Sequence, residues 1–198
     1  MSEARLANFE GLFAASPVPD KERGEWDVVT LHAAYGDFVW ATLERLGVRS
    51  RDLDDQLQEV FVVVFRRLDS YDGSTPIRGW LYGVCRRVAA AYRRRGYVRH
   101  EVPSEVQEDQ VEEGDGPFES ASQREARGLL RVLLDELDLD KRVVFVMFEV
   151  EEISCEEIAR ALGLPLGTVY SRLHTARKDF QMALERYHKR EARKAGQR

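Results

Sequence analysis

A short basic segment near the C-terminal end carries the side chains best suited to chemistry, and that chemistry is the binding of nucleic acid. Placed on a helix from Val169 onward, its apolar residues fall on one side and its polar residues on the other. The polar side presents hydroxyl, imidazole and cationic groups, which donate hydrogen bonds to phosphates and base edges. Its members are Tyr170, Ser171, Arg172, His174, Arg177 and Lys178. We expect this face to enter a DNA major groove.

The residues around this face predict a helix, a turn and a second helix. Ser154 and Glu157 have the spacing of a capping box at the start of the first helix. Gly163 suits the left-handed backbone that ends a helix, and Thr168 is the predicted cap of the second helix. A plain helical hairpin would show the same amphipathic pattern. The coincidence of capping box, glycine and basic second helix favours a helix-turn-helix.

Apolar residues at helical spacing predict further helices before and after residue 100. The first is expected to end at Gly47, the second to cover about 52–68, and the third to start at Pro76 with Thr75 as its cap. Leucines at 129–137 predict another helix. The short apolar run 143–148 fits a helix or a strand, but no alternation is sustained enough for a sheet. The sequence therefore predicts an all-α fold.

Charge divides the chain into segments with different roles. The net charge is −5, yet residues 100–123 hold eight carboxylates and no Lys or Arg. This segment contains few large apolar residues, so we expect a flexible acidic linker. It serves either as a solubilising tether or as a mimic of nucleic acid that lies over a basic surface.

The linker separates two small helical domains. We expect a loosely ordered N-terminal extension, an N-terminal domain, the linker, a C-terminal domain with the helix-turn-helix, and a basic tail. Their predicted ranges are 1–27, 28–99, 100–123, 124–185 and 186–198. Seven arginines and no acidic residue lie between Asp72 and Glu101, which makes the N-terminal domain a second candidate for binding phosphates.

The remaining composition argues against several other classes of protein. Cys85 and Cys155 lie far apart, with no Cys or His at metal-ligand spacing, so we expect neither a metal site nor a disulfide framework. No residue set has the spacing of a nucleophile or cofactor site, so we expect no enzyme activity and no cofactor. No apolar run is long enough to span a membrane, and the N-terminus does not look like a signal peptide. We expect a cytoplasmic protein.

Two blocks of the sequence contain recognisable motifs. The first block includes Asp52-Leu-Asp-Asp-Gln-Leu-Gln-Glu-Val-Phe61, Arg66-Arg-Leu-Asp-Ser-Tyr-Asp-Gly73 and Trp80-Leu-Tyr82. The second includes Glu156-Glu-Ile-Ala159, Gly167-Thr-Val169, Ser171-Arg-Leu-His174 and Ala176-Arg-Lys178. These blocks resemble conserved regions of the extracytoplasmic-function (ECF) group of bacterial sigma factors, which direct RNA polymerase to promoters. The resemblance covers residues 28–99 and 124–185 and keeps the order of both blocks. It implies a factor that binds core polymerase, recognises promoter DNA and performs no covalent chemistry.

The resemblance also implies where core polymerase docks. In the family, the helix of the first block binds a coiled-coil of the large polymerase subunits. At the positions of this sequence that match the family's motif, the implied docking residues are Asp52, Asp55, Gln58 and Glu59. An acidic face suits a basic partner, although an ordinary solvated helix face would have the same composition.

The loop and helix after this block resemble the part of the family that captures the melted minus-ten element. The residues carried over are Tyr71, Asp72, Ser74, Arg78, Trp80, Arg87 and Arg94. In the family, this loop captures a flipped base, which an aromatic ring and short polar side chains can stack on and hydrogen-bond. Tyr71 either performs that task or packs against the third helix, and Trp80 is expected to belong to the core.

The second block resembles the module that reads the minus-thirty-five element. The carried-over residues are Thr168, Tyr170, Ser171, Arg172, His174 and Arg177. Tyr170 departs from the family pattern, in which Lys or Arg is common, and His174 is either a contact or a surface residue. Many relatives are held inactive by an anti-sigma protein, and the resemblance implies such a partner here. The alternative is a stand-alone helix-turn-helix repressor or activator.

Overall fold

The computed structural model describes residues 26–99 and 121–195, with side chains placed for 26–96 and 125–194. Over these ranges the chain forms α-helices, two 3-10 turns and no strand, which confirms the predicted all-α class. The helices are α1 (Val28–Arg45), α2 (Leu53–Arg67), α3 (Ile77–Arg99), α4 (Ala121–Asp135), α5 (Leu139–Glu149), α6 (Cys155–Leu162) and α7 (Leu166–Ala195). The N-terminal extension before residue 26 and the acidic linker through residue 120 lie outside the described residues.

Helices α1, α2 and α3 pack on one another as the N-terminal module. Asp27 caps α1 by accepting a 2.6 Å hydrogen bond from the Thr30 amide. The chain leaves α1 through Gly47, whose φ of 90° favours glycine because a Cβ would be strained there. The apolar stripes predicted for the first two helices are buried at Tyr35 and Val60, among others. These side chains belong to one core cluster that also includes buried residues of the C-terminal helices.

Helices α4 to α7 form the C-terminal module, in which α5 is the central buried element. Asp138 caps α5 by accepting from the Lys141 amide at 3.0 Å. Phe145 stacks on Phe180 of α7 with ring centroids 4.8 Å apart. The apolar run 143–148, which fitted a helix or a strand, is helical and mostly buried because it lies between the helices on either side.

One predicted helix boundary is wrong. Thr168 was expected to cap the second helix of the helix-turn-helix, but α7 already begins at Leu166. The Thr168 amide donates to the Pro165 carbonyl at 2.9 Å, so Thr168 lies inside the first turn. Pro165 supplies the reason, since its fixed φ suits a helix start and it lacks the amide that a helix start leaves unpaired.

The two modules are in direct contact along α3 and α6. Gly79 and Gly83 of α3 face Ala161 of α6. A Cβ added at Gly83 would lie 3.1 Å from the Ala161 carbonyl oxygen, so a larger residue there would have to move α6 by a few tenths of an ångström. The two modules are therefore in contact in this structure, and each has exposed arginine side chains.

Candidate nucleic-acid and polymerase interfaces

The first helix of the helix-turn-helix begins and ends as Ser154, Glu157 and Gly163 predict. The Glu157 amide donates to the Ser154 hydroxyl, and the Glu157 carboxylate accepts from the Ser154 amide at 3.1 Å, which completes a capping box. The Ser154 hydroxyl also donates to the Glu157 carboxylate at 2.7 Å, and this hydrogen bond, followed by the one from the Ser154 amide, lowers the pKa of Glu157 below its ordinary value. Gly163 ends α6 with φ of 64°. Both ends of α6 are therefore fixed by residues that the sequence identifies.

The N-terminal half of α7 presents an exposed polar face. Tyr170 is 51% exposed, and its hydroxyl donates to a Glu156 carboxylate oxygen at 3.2 Å. The charge of Glu156 raises the pKa of Tyr170, so the phenol stays protonated and can donate to a phosphate. Ser171 and His174 are also exposed, while Thr168 is half-buried. These side chains lie together on the solvent side of α7.

The two arginines predicted to contact the upstream element differ in their surroundings. The Arg177 guanidinium is 47% exposed, lies over the Phe148 ring and donates to Glu149 at 2.6 Å. Arg172 is 25% exposed and donates to Asp140 of α5 at 2.8 Å. Arg177 therefore belongs to the exposed face, whereas Arg172 points toward α5.

The loop between α2 and α3 brings the predicted minus-ten residues together. The Tyr71 ring packs on Trp80 with centroids 5.3 Å apart, and its hydroxyl donates to the Thr75 carbonyl at 2.7 Å. Asp72 accepts from the Ser74 amide at 2.9 Å, and both side chains are exposed. Of the two roles left open for Tyr71, the structure shows packing against the third helix, with the ring half-buried.

A wide basic groove runs between α2 and α3. Arg87 and Arg94 are exposed and line it. The groove is also lined by six further arginines, Arg49, Arg51, Arg66, Arg67, Arg93 and Arg95, and by four carboxylates, Asp52, Asp55, Glu59 and Asp135. Arg78, also predicted to contact DNA, lies elsewhere, because its guanidinium is paired with Glu151 of the other module. The groove offers a positively charged channel for a phosphate backbone.

The outer face of α2 carries the predicted polymerase-binding residues. Asp55, Gln58 and Glu59 are exposed on it, and Asp55 and Glu59 also line the groove, so the two surfaces meet along α2. Asp52 differs, since it precedes α2 and accepts a 2.7 Å hydrogen bond from the Tyr92 hydroxyl. That hydrogen bond adds to burial in raising the pKa of Tyr92. Three of the four predicted residues therefore share a surface that a partner can reach.

Sequence reasoning missed two apolar residues on the same helix. Phe65 is 72% exposed and Val62 is 41% exposed, and both continue the surface of Gln58 and Glu59 toward the end of α2. A large exposed apolar side chain next to charged residues is typical of a protein interface. The sequence did indicate this exposed surface, because Val62 and Phe65 lie outside the apolar stripe that runs through Val60 and Val64 and is buried in the structure.

Other kinds of site find no support in the part of the chain that the structure describes. Within 26–99 and 121–195, no group of His, Cys, Asp or Glu side chains could hold a metal ion. Cys85 and Cys155 are both buried, and burial raises the pKa of each thiol. Among the described helices none has the length and apolar character needed to cross a bilayer.

The fold and its two surfaces define a class: two-module, all-helical factors that combine a helix-turn-helix with a second basic module. The model of sigma-70 region 2 matches residues 31–97, and that of sigma-70 region 4 matches residues 127–180. The ECF RNA polymerase sigma-E factor of Escherichia coli strain K12 is 31% identical over 147 residues, covering 70% of this chain and 76% of the relative. The chain belongs to the ECF group of the sigma-70 family.

A further relative agrees with this membership, and two solved structures have the same fold. The ECF RNA polymerase sigma factor SigE of Mycolicibacterium smegmatis is 32% identical over 86% of this chain, and the chain spans 65% of that relative's length. The sigma factor RpoE of Bartonella quintana, solved in complex with the anti-sigma factor NepR, has the same fold with a TM-score of 0.62. It is 18% identical, over 79% of this chain and 96% of that one. CnrH, solved with the cytosolic domain of CnrY, has a TM-score of 0.57 and 24% identity, over 80% and 87% of the two chains.

Proposed function

We propose that this chain is a promoter-recognition subunit that binds core RNA polymerase and directs transcription initiation in a stress or signal response. The observation that carries the proposal is the presence of two different exposed surfaces on one chain. One is the acidic and apolar face of α2, and the other is the polar and basic face of α7. A stand-alone repressor or activator would need the second surface and would use the N-terminal module for dimerisation or sensing.

Each module has a separate task in this proposal. The outer face of α2 binds polymerase, with Asp55 and Glu59 steering toward a basic partner and Phe65 supplying apolar contact. The groove between α2 and α3 holds the melted minus-ten strand. The exposed face of α7 reads the duplex at the minus-thirty-five element. The chain acts by binding alone, in the cytoplasm where polymerase works, and polymerase supplies the chemistry.

Base capture by the N-terminal module offsets part of the energy of melting. Unstacking a few bases costs several kcal/mol, and a flipped base regains energy by stacking and hydrogen bonding in a protein pocket. In the structure the Tyr71 ring lies on Trp80, with Asp72 and Ser74 exposed beside it. We propose that a base stacks at this loop and that Asp72 and Ser74 contact its edge.

Reconstitution with purified core polymerase tests the proposal. We expect the full chain to form a stable complex with core and to produce specific transcripts from genomic DNA templates. A stand-alone regulator, the second candidate, would bind duplex DNA tightly by itself and would ignore core. Failure to bind core while the chain binds a defined DNA site would overturn the sigma-factor proposal. A second arm tests an anti-sigma partner: addition of a protein that covers α2 and α7 should abolish both activities.

A further inference from the structure

The first turns of α7 present apolar rather than charged side chains to solvent. From Leu166 to Ser171 the helix carries no Lys or Arg, and the arginine that follows points toward α5. Leu166 is 38% exposed and Tyr170 is 51% exposed. Residues four apart lie side by side on a helix, so these two side chains form one exposed apolar surface. We call Leu166, Gly167 and Tyr170 the tip of α7.

The hydroxyl groups near the tip donate inside the protein. The Tyr170 hydroxyl donates to Glu156 at 3.2 Å, and the Ser171 hydroxyl donates to the Thr168 carbonyl at 3.0 Å. A hydroxyl group has one hydrogen to donate, so neither residue has a second one for a phosphate or a base while these bonds last. The exposed imidazole of His174 lies one turn further along. The tip therefore offers mainly ring and methyl surface to a partner.

Glu156 holds the Tyr170 ring in a fixed position. The Glu156 carboxylate is exposed in the first turn of α6, so its hydrogen bond with Tyr170 joins the two helices of the helix-turn-helix. Its negative charge also repels a phosphate that approaches the hydroxyl. The ring is therefore the part of Tyr170 that lies open to DNA.

Gly167 leaves the space beside these two side chains open. An added Cβ would meet no packing neighbour within 4 Å, so packing inside the chain does not require glycine there. Glycine also stabilises a helix less than alanine does. A residue without a side chain allows another molecule to approach the helix backbone closely. The tip thus has room for the edge of a base pair between its two apolar side chains.

The chemistry of the tip fits thymine better than the other bases. The first residues of the second helix in a helix-turn-helix are the ones that contact base edges in the major groove. Guanine is read there by the donors of Arg or Lys, and adenine by the amide of Asn or Gln. The tip has no such group. Thymine alone carries a methyl group, which apolar side chains contact.

We propose that the tip of α7 reads the methyl group of a thymine in the upstream promoter element, with Leu166 and Tyr170 as contact residues and Glu156 as the residue that positions the Tyr170 ring. The inference rests on the proposed function and adds the base that this part of the C-terminal module selects. A Lys or Arg in place of Tyr170, which the family pattern favours, would offer its donors to guanine instead. The departure at this position therefore changes which promoter sequence is read.

Removing one methyl group from the DNA tests the contact without changing the protein. The full chain with core polymerase first selects its site from duplexes randomised over the upstream element. Each thymine of the selected site is then replaced in turn by uracil, which lacks only the methyl group. We expect one or two adjacent thymines at which the replacement weakens binding about fourfold, the effect of one buried methyl group. Competition followed by fluorescence anisotropy measures it.

Substitutions at Tyr170 identify the side chain that makes the contact. Tyr170→Ser should remove the sensitivity to uracil at that position, and Tyr170→Arg should select guanine in place of the thymine. Met182→Ala is the matched control, since Met182 is an apolar residue of the same helix that is 41% exposed and lies beyond the tip. It should leave the sensitivity to uracil and the selected sequence unchanged.

The ratio of the affinities for the thymine and uracil duplexes tests the role of Glu156. Removing a carboxylate raises the affinity for any DNA, but this general effect cancels in the ratio. Glu156→Ala should lower the ratio from about fourfold to about twofold, because the ring is no longer held. Glu156→Gln keeps an acceptor for the hydroxyl and should keep the ratio. An unchanged ratio in Glu156→Ala overturns the positioning role.

The outcomes separate this inference from the proposed function. A selected site in which no uracil replacement weakens binding overturns the thymine contact and leaves the proposed function intact. The same holds if Tyr170→Ser loses affinity for core polymerase rather than sensitivity to uracil, since the tip would then bind protein. Selection of a cytosine that Glu156→Gln abolishes overturns the contact as well. Failure of the wild-type chain with core to select any sequence overturns the proposed function itself.

Discussion

The two modules carry their positive charge in different ways. In the N-terminal module, Arg87 and Arg94 project into an open groove and form no ion pair with any described residue. In the C-terminal module, cations are matched with carboxylates of the same module, as in Arg172 with Asp140 and Arg177 with Glu149. The sequence shows the same contrast, with twelve basic and eight acidic residues in 28–99 against fifteen and thirteen in 124–198.

This difference implies two modes of DNA binding. Arginines in the groove attract phosphates without first giving up a partner, so the N-terminal module is expected to depend strongly on salt and weakly on sequence. Arginines of the C-terminal module must exchange a carboxylate for DNA. This exchange weakens nonspecific binding, so contacts with base edges determine which DNA sequence the module binds. Five experiments would test this comparison and the contacts on which it depends.

The largest expected effect concerns the buried charge at the interface. Arg142→Ala removes a guanidinium that burial keeps from water, and it leaves the Arg45 carbonyl and Asp135 without their donor. Burial also lowers the pKa of Arg142, while the nearby Asp135 opposes that shift. Asp135 is 53% exposed, so water can solvate it after the change, and we expect the free energy of unfolding to fall by about 2–5 kcal/mol from the lost packing of a buried side chain and the unpaired Arg45 carbonyl. Urea titration followed by circular dichroism measures it.

A matched surface pair serves as the control for Arg142. Arg186 donates to Glu136 at 2.9 Å with both side chains about half exposed, 50% and 46%. Arg186→Ala should change the free energy of unfolding by less than about 1 kcal/mol, because water screens exposed pairs. Equal losses for the two variants would mean that Arg142 contributes no more to stability than an arginine in an exposed ion pair.

The second prediction concerns the outer face of α2. Reversing two charges with Asp55→Lys/Glu59→Lys should weaken binding to core polymerase by about 3 kcal/mol, because like charges then face a basic partner. Binding of duplex DNA by the free chain should not weaken. Surface plasmon resonance with immobilised core measures the first, and fluorescence anisotropy the second.

An equal number of reversals elsewhere controls for net charge. Asp37 and Glu185 are exposed and lie on α1 and α7, away from the outer face of α2. The double variant Asp37→Lys/Glu185→Lys should bind core as the wild type does. If it loses affinity equally, then core attraction depends on total charge, and α2 is not the docking helix.

The third prediction separates the arginines of α7. Arg177→Ala should weaken binding to the upstream element by about 1–3 kcal/mol for a base-reading contact. Arg172→Ala should weaken it by a similar amount and should also lower stability, because its pair with Asp140 ties α7 to α5. Arg190→Ala, an exposed change in the second half of the same helix, is the control. A loss of core affinity equal to the loss of DNA affinity would contradict the division of tasks between the modules.

The smallest expected effect concerns the cap of α6. Ser154→Ala should lower the free energy of unfolding by about 1 kcal/mol, because the Glu157 amide loses its acceptor. Ser171→Ala is the control, since its hydroxyl only donates to the Thr168 carbonyl within α7. If Ser171→Ala lowers the free energy of unfolding as much as Ser154→Ala does, the cap contributes no more than an ordinary hydroxyl hydrogen bond.

The cap also predicts a dependence on pH. The folded pKa of Glu157 lies below the value of 4.5 for the unfolded chain, because its carboxylate accepts hydrogen bonds from Ser154. Its contribution to stability is therefore complete above about pH 4.5 and is lost as the pH falls through the folded value. Glu157→Gln should lose less stability than the wild type between pH 6 and pH 3 in denaturant titrations.

Features that depend on neighbours in the chain could be predicted from the sequence. The capping box at Ser154, the left-handed Gly163 and the buried stripe of α2 follow from spacings of a few residues. The boundary at Thr168 was wrong because Pro165, three residues earlier, starts the helix. Local patterns therefore predict the elements well and their first residues less well.

Side chains with more than one reasonable partner could not be placed in this way. Tyr71 had two open roles, and only the position of α3 shows its ring on Trp80. Phe65 lay outside the apolar stripe, yet its exposure depends on which helices cover α2. Arg172 lies on the polar face of its helix, where a DNA contact was expected, but α5 lies beside it and its guanidinium donates to Asp140.

The sequence by itself determined the all-helical class, the helix-turn-helix, the two basic blocks and the family, because each follows from short-range periodicity, capping and motif spacing. The tertiary structure alone decided that the modules meet at Gly79 and Gly83, that Arg142 is buried, and that Asp140 joins Arg86 to Arg172. Arg86 and Asp140 are 54 residues apart in the chain. No local spacing encodes such a pair, because it forms only when separately folded surfaces come together.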